Sequence, residues 1–350
     1  MKKLTYILFA LLVSLNIALV SAQDATQEAT AEAMDRTGWP ETFIIGVYPG
    51  DNIEEALAAQ EPLRAYLEEN LGVRTVVITG TSYNAVIEAM RAGRADAFEV
   101  GPFAYILAAD VANSEAIVVG NYTTTPDLET VPGYYSVMFT KKGSGVTSIA
   151  DLEGKTFAFT DPASTSGYLV PATDILNAMS FDSKDQIETY FGQVTFAGNH
   201  PQAVMAVSNG TVDAGATFDD NLVDQVDADI AICGIEKGID KGDNIFHSAL
   251  TQEEIMAIYD ACPEGSLAVF HQSPLIPQTP FAVNANLPQS FKDAVKTALL
   301  DIVNDQALVD ELGRFYVDPT VINPELESID AMYNPLRVIA QKLEIDLKAR

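Results

Sequence analysis

The chain has 350 residues, 48% of them apolar, enough to bury a sizeable core and to build roughly two domains. Lys and Arg number 20 against 49 Asp and Glu, a formal net charge of -29. That balance argues against a nucleic acid or an anionic membrane surface as partner, because phosphate backbones need clustered cations. Two cysteines and three histidines exclude Cys/His zinc clusters and iron–sulfur sites, and neither metal nor cofactor is expected.

Lys2 and Lys3 precede a mostly apolar run over 4–20, and Val20-Ser21-Ala22 supplies small residues at a cleavage site. This is the pattern of a signal peptide spanning 1–22, so a periplasmic or extracellular location is expected. An uncleaved anchor is the alternative. Residues 23–41, rich in Ala, Thr, Glu and Gln without periodicity, read as a flexible leader.

From residue 43 the pattern alternates. Strands are predicted at 43–48, 74–78, 95–100 and 116–120, with helices at 53–70, 83–92 and 102–110 between them. A polar connector over 121–133 follows. The alternation then restarts with strands at 134–140, 156–159, 193–197 and 212–217 and helices at 166–179, 201–209 and 219–226. Such repetition implies mostly parallel sheets covered by helices, in two α/β lobes with a cleft between them. An internal echo supports two similar lobes. Met90–Ala97 and Val207–Ala214 each close a helix with a Gly and enter a strand through x-Asp-Ala.

Segment 230–265 departs from the pattern and reads as an insertion containing a helix at 251–260. Export permits a Cys233–Cys262 disulfide closing about 30 residues, worth roughly 3.6 kcal/mol in the chain-entropy model. Strands at 267–271 and 281–283 flank a proline-rich crossing, and helices at 288–303, 306–312 and 329–347 follow. Two crossings of the chain would make a two-strand hinge. The expected division is 42–135 and 278–350 for lobe 1, and 136–277 for lobe 2 including the 233–262 insertion.

Chemistry concentrates at Phe159–Tyr168, where Ser164, Thr165 and Ser166 stand at the start of a helix and Gly167 permits close approach. A helix N-terminus offers free N–H groups with partial positive charge, and hydroxyls add donors, so this stretch is an anion cradle without a lysine. Ordinary N-capping needs only one hydroxyl. Other loops at the carboxyl ends of predicted strands carry Tyr48, Tyr83, Gly101 with Phe103, His200, and Asp219 with Asp220, where open α/β sheets place ligands. In so acidic a chain, anion affinity must come from local, oriented dipoles. His247 and His271 receive no role.

These segments (Thr81–Met90, Gly101-Pro102-Phe103, Asp161–Pro171, Gly198-Asn199-His200, Val212–Asp220 and Ser273–Pro277) resemble the phosphate/phosphite/phosphonate-binding family of ABC-importer substrate-binding proteins. The resemblance implies a type II periplasmic-binding-protein fold whose lobes close on ligand, and a membrane permease as partner. By it, Ser164, Thr165 and Ser166 would hold a phosphorus oxyanion, with Tyr83, His200 and an acidic residue around it. Asp219 and Asp220 both fit that acidic position, and Asp219 is preferred. Two departures stand out: the Cys233–Cys262 insertion, and Phe98-Glu99 where that family tends to be apolar.

A carboxylate there should accept a proton held by the ligand, which sulfate lacks. A monomeric binding protein without catalysis is expected. The alternatives are a binding protein for a sulfonate, ferric ion or thiamine precursor, an exported sensor domain, and a hydrolase. The last lacks a Gly-x-Ser-x-Gly elbow. Tyr134-Tyr135 does not suit iron, since adjacent strand residues face opposite ways.

Overall fold

A computed structural model describes residues 35–47, 53–345 and 347. The expected signal peptide 1–22, most of the leader 23–41, and Tyr48 with its loop lie outside the described residues.

In the first lobe, β1 (Thr42–Val47) leads to the helices α1 (Ile53–Ala59) and α2 (Glu61–Leu71). One helix was expected over 53–70. Pro62 explains the break, because its ring removes an N–H and clashes with the carbonyl four residues back. Then come β2 (Arg74–Thr79), α3 (Tyr83–Arg91), β3 (Ala97–Glu99), α4 (Pro102–Ala112) and β4 (Ser114–Asn121). The short strand β5 (Gly133–Tyr134) crosses to the second lobe.

There β6 (Ser136–Lys141) and β7 (Thr156–Phe159) precede α5 (Val170–Ala178) and α6 (Lys184–Tyr190). The chain continues through β8 (Gln193–Phe196), α7 (His200–Ser208), β9 (Ala214–Phe218), α8 (Asp219–Asp227), α9 (Gln252–Ala261) and β10 (Leu267–Gln272). It returns through β11 (Ile276–Pro277) to β12 (Pro280–Asn284), α10 (Gln289–Asp301), α11 (Gln306–Leu312), β13 (Phe315–Val317), α12 (Pro319–Ile322) and α13 (Asn334–Lys342). α6 and β13 carry no pattern in the sequence. The first is a seven-residue helix and the second a three-residue strand, both too short to show a period.

One sheet has the order β13-β4-β12-β3-β1-β2, the other β10-β6-β9-β7-β8, and β5 pairs with β11 alone. That antiparallel pair, Tyr134 against Ile276 and Gly133 against Pro277, is the two-strand hinge. The sheets are more mixed than expected. β1 runs parallel to β2 and β3, and β7 to β8 and β9, whereas β12, β4, β13, β6 and β10 join antiparallel. β6 and β12 enter directly from the hinge crossings, with no helical crossover, and run against their neighbours.

The sequence echo has one structural meaning in both lobes. Gly93 and Gly210 take left-handed φ of +65° and +71° at the helix ends. The aspartates behind them then latch the neighbouring parallel strand: Asp96 accepts the Ile44 N–H at 2.9 Å, and Asp213 accepts the Thr156 N–H at 2.8 Å. Phe43, Ile45, Phe281, Phe291 and Phe315 centre one core; Phe139, Val204, Leu222, Phe246 and Val269 centre another. A third runs across the cleft from Phe98 and Phe103 to Phe159 and Leu169, so the lobes are packed against each other at its floor.

Candidate functional site

Five helices begin at the cleft, each just beyond the carboxyl end of a strand. Their first residues are Tyr83, Pro102, Thr165, His200 and Asp219, after β2, β3, β7, β8 and β9. Parallel strands put the helices that follow them at the same end of each sheet, and each N-terminus carries partial positive charge. Tyr83, Gly101, Thr165, His200 and Asp220, one from each, line a single cavity of about 420 Å³.

The cradle itself is a five-residue π-helical turn, Thr165–Leu169, leading into α5. An α-helix from residue 166 was expected. Instead the Leu169 and Val170 N–H groups bond the carbonyls of Ser164 and Thr165, five residues back. The wider turn brings Ser164, Thr165 and Ser166 together on the cavity wall, all buried. Ser164 caps the turn, its Oγ accepting the Gly167 N–H at 3.0 Å and lying 3.3 Å from His200 Nε2. Thr165 Oγ1 accepts the Phe103 N–H at 2.8 Å, a bond from the second lobe to the first across the cleft floor. The Thr165 and Ser166 hydroxyls also reach the buried Tyr134 phenol, whose pKa burial raises.

His200 is wholly enclosed, edge-on to Phe218 at 4.7 Å, with Nδ1 3.0 Å from Thr217 Oγ1. Thr217 Oγ1 in turn accepts from Asn221 Nδ2 at 3.0 Å. Burial pushes the imidazole down to about 3, so it is neutral at physiological pH. It acts as an oriented dipole, not a cation.

The structure differs from the sequence reading at two residues. Phe103 is fully buried beneath the cavity and offers only its N–H, to Thr165. Asp219 is turned away from the cavity: its carboxylate accepts the Tyr135 N–H at 3.3 Å and His247 Nδ1 at 3.0 Å. Consecutive helix residues point about 100° apart, so Asp220 faces the cavity instead. His247 has a single Nδ1 proton, and its hydrogen bond goes to Asp219. Asp220 Oδ1, 3.2 Å from that nitrogen, is left buried without a hydrogen bond.

His247 lies in the disulfide-closed insertion and carried no signal, since nothing in the local sequence points it at residues 28 positions away. Its ligand atom and those of Asp219 and Asp220 fall within 4.8 Å of one another, a spacing that a cation could share. The proton between them makes this an ion-pair triad. Burial and the Asp220 charge push Asp219 up to about 7, while the hydrogen bond to Asp219 and the Asp220 carboxylate beside it push His247 up to about 10. Both Asp219 oxygens accept N–H groups, which places the shared proton on His247.

A folded-state pKa raised above the unfolded value gives stability that is complete below about 6.5 and lost as pH climbs toward 10. The expected slope in that window is at most about 1.4 kcal/mol per pH unit, one proton's worth. His247→Gln should flatten it in denaturant titrations across that range. An unchanged slope in the variant would place the proton elsewhere.

The opposite wall carries residues that the sequence did not single out. Gln60, Tyr122 and Arg314 meet there around Glu99, whose acidic character was its only signal. The Cys233–Cys262 disulfide is present, and α9 inside its loop is capped by Thr251 and Glu254 as a reciprocal box.

Residues 45–320 match the family model described as the periplasmic substrate-binding protein of a phosphonate ABC transporter. The chain is 28% identical over 302 residues to the phosphate-import protein PhnD of Mycolicibacterium smegmatis, covering 85% of this chain and 82% of that one. It is 26% identical over 259 residues to the phosphonates-binding periplasmic protein of Escherichia coli, covering 72% and 64%. Among solved structures, PhnD1 of Prochlorococcus marinus in complex with methylphosphonate superposes with a TM-score of 0.64 at 17% identity, over 88% of this chain and all of that one. A phosphonate-transporter binding protein of Pseudomonas aeruginosa gives 0.60 at 19%, over 87% and 95%. These likenesses bear out the two-lobed type II fold. With the family model spanning most of the length, the chain belongs to the periplasmic substrate-binding proteins of phosphonate ABC transporters.

Proposed function

We propose that the cleft captures a small phosphorus oxyanion (a phosphonate, phosphite or phosphate) and that the closed, loaded protein presents it to a membrane permease. Family membership makes the chain a component of an importer and its setting extracytoplasmic. The relatives are named for phosphate and for phosphonates, which supports the ligand class. Export by cleavage of the 1–22 segment, and a purely binding role without turnover, belong to the same reading.

The observation that carries it is the convergence of five helix N-termini and three buried hydroxyls on one cavity. First-turn N–H groups lack helical carbonyls. Ser164 takes that of Gly167, so those of Thr165 and Ser166 are the donors a tetrahedral anion would meet. Ser164, Ser166 and the neutral His200 add side-chain donors. In a molecule of charge -29, this fixed array attracts an anion where the long-range field repels it.

Asp220 supplies the choice among anions. Its carboxylate lines the cavity and accepts a donor there, which a P–OH provides and sulfate does not. A charged acceptor left unpaired costs about 1–3 kcal/mol or more. Calorimetry with methylphosphonate, phosphite, phosphate and sulfate tests this on the purified protein. Phosphorus species should bind at least about tenfold tighter than sulfate, and Ser164→Ala should weaken them by roughly 1–3 kcal/mol, about 5- to 150-fold. Equal binding of sulfate would remove the role of Asp220; unaltered affinity in the variant would remove the cradle.

A further inference from the structure

The cavity wall facing the cradle holds a charge cluster that oxyanion capture leaves unused. Glu99, at the end of β3, accepts Tyr122 OH at 2.8 Å on one oxygen, Arg314 Nη2 at 3.0 Å on the other, and Tyr316 OH at 3.1 Å on both. Both oxygens of this carboxylate are therefore engaged. Arg314, just before β13, gives Nε to Tyr316 OH at 2.9 Å and Nη2 to Gln60 Oε1 at 2.7 Å as well as to Glu99. The guanidinium also lies 5.8 Å and 5.9 Å from the Tyr122 and Tyr316 ring centres.

An arginine offers five N–H groups. Those on Nε and Nη2 are accounted for, and no hydrogen bond from a described residue reaches Nη1. Arg314 is nonetheless only 5% exposed and lines the same cavity as Ser164, Thr165 and Ser166. A pair that merely stitched two strands together would not leave an Nη1 group without an acceptor among the described residues on a side chain that lines the cavity. The space is also large. At about 30 Å³ per water, 420 Å³ is room for roughly fourteen, and a five-atom anion in the cradle occupies a small part of it.

We propose that Arg314 is a second recognition point, and that the ligand is an organophosphonate whose substituent ends in an oxygen acceptor, most favourably a carboxylate, bound by Nη1. The assignment rests on the cradle reading above, which places the phosphorus end. A substituent ending in an ammonium meets a Glu99 whose two oxygens are already engaged, whereas an oxygen acceptor finds the Nη1 N–H groups without an acceptor among the described residues. A charge-assisted N–H···O bond from a guanidinium to a carboxylate is the strong form of such a contact.

Calorimetry on the full chain compares methylphosphonate with phosphonoacetate and 3-phosphonopropionate, which add a carboxylate, and with 2-aminoethylphosphonate, which adds an amine. At least one carboxylate ligand should bind tenfold or more tighter than methylphosphonate. In Glu99→Gln/Arg314→Met, which neutralises both members of the buried pair together, the ratio should fall to about one. If that variant does not fold, Arg314→Lys decides the matter, since it keeps a charge for Glu99 but removes Nη1, and the ratio must again collapse. Equal binding of methyl and carboxylate ligands, tighter binding of the amine, or an advantage that survives substitution would overturn the proposal while leaving the cradle intact. Failure of every phosphonate to bind wild-type protein would overturn both.

Discussion

Gly167→Ala is expected to cost about 3 kcal/mol of stability and to weaken phosphonate binding at least about a hundredfold. A Cβ at Gly167 would stand 1.9 Å from Thr160 Oγ1, 2.3 Å from Thr160 Cβ and 2.9 Å from Ser164 Oγ. Thr160 has nowhere to go. It is fully buried at the end of β7, its N–H bonds the Gly167 carbonyl at 3.0 Å, and its own carbonyl accepts the Gly198 N–H at 2.7 Å. The turn must then lift off the strand, carrying Ser164, Thr165 and Ser166 away from His200 and breaking the Thr165 bond to Phe103. Denaturant titration and calorimetry would read the two effects. The double variant Thr160→Gly/Gly167→Ala removes the obstructing side chain and should recover part of both. A Gly167→Ala protein that melts and binds like wild type would show that the close approach is no constraint.

Removing the disulfide as Cys233→Ser/Cys262→Ser should lower stability by about 3.6 kcal/mol, because the bridge closes a 29-residue separation in the unfolded chain. For a unit of this size that is roughly 7 °C in melting temperature. The effect should also reach the site. The closed loop carries Asn244, whose Nδ2 donates to the Asp219 carbonyl at 3.0 Å, and His247, which holds the Asp219 and Asp220 carboxylates. Loosening it frees the negative charge beside the cavity, so phosphonate affinity should fall together with stability. A melting temperature unmoved by the double substitution or by reductant would mean that the insertion is held by packing alone.

Several features of this fold were legible because they are local. Alternating apolar runs and helical spacings marked most elements, and the Gly-x-x-Asp-Ala echo marked equivalent points of both lobes, down to the aspartates that latch β1 and β7. The hydroxyl triplet at 164–166 was visible because a cap needs one such residue and three are present. Other features were hidden by distance or by angle. The choice between Asp219 and Asp220 turns on a rotation of about 100° around α8, set by where Tyr135 and His247 approach. The π-turn depends on tertiary contacts with Thr160 and Phe103, which no helix propensity encodes.

The sequence by itself determined the class of the protein: an acidic two-lobed α/β chain whose strand ends present helix N-termini and neutral donors to an anion. Its local hydrogen-bonding grammar, of caps, periods and turn glycines, is written within a few residues of each element. Only the tertiary structure decided which charges face the cavity. Glu99 and Arg314 are 215 residues apart and meet because the chain returns through the hinge to complete the first sheet. A contact of that separation is specified by the packing of the whole lobe, and no local pattern carries it.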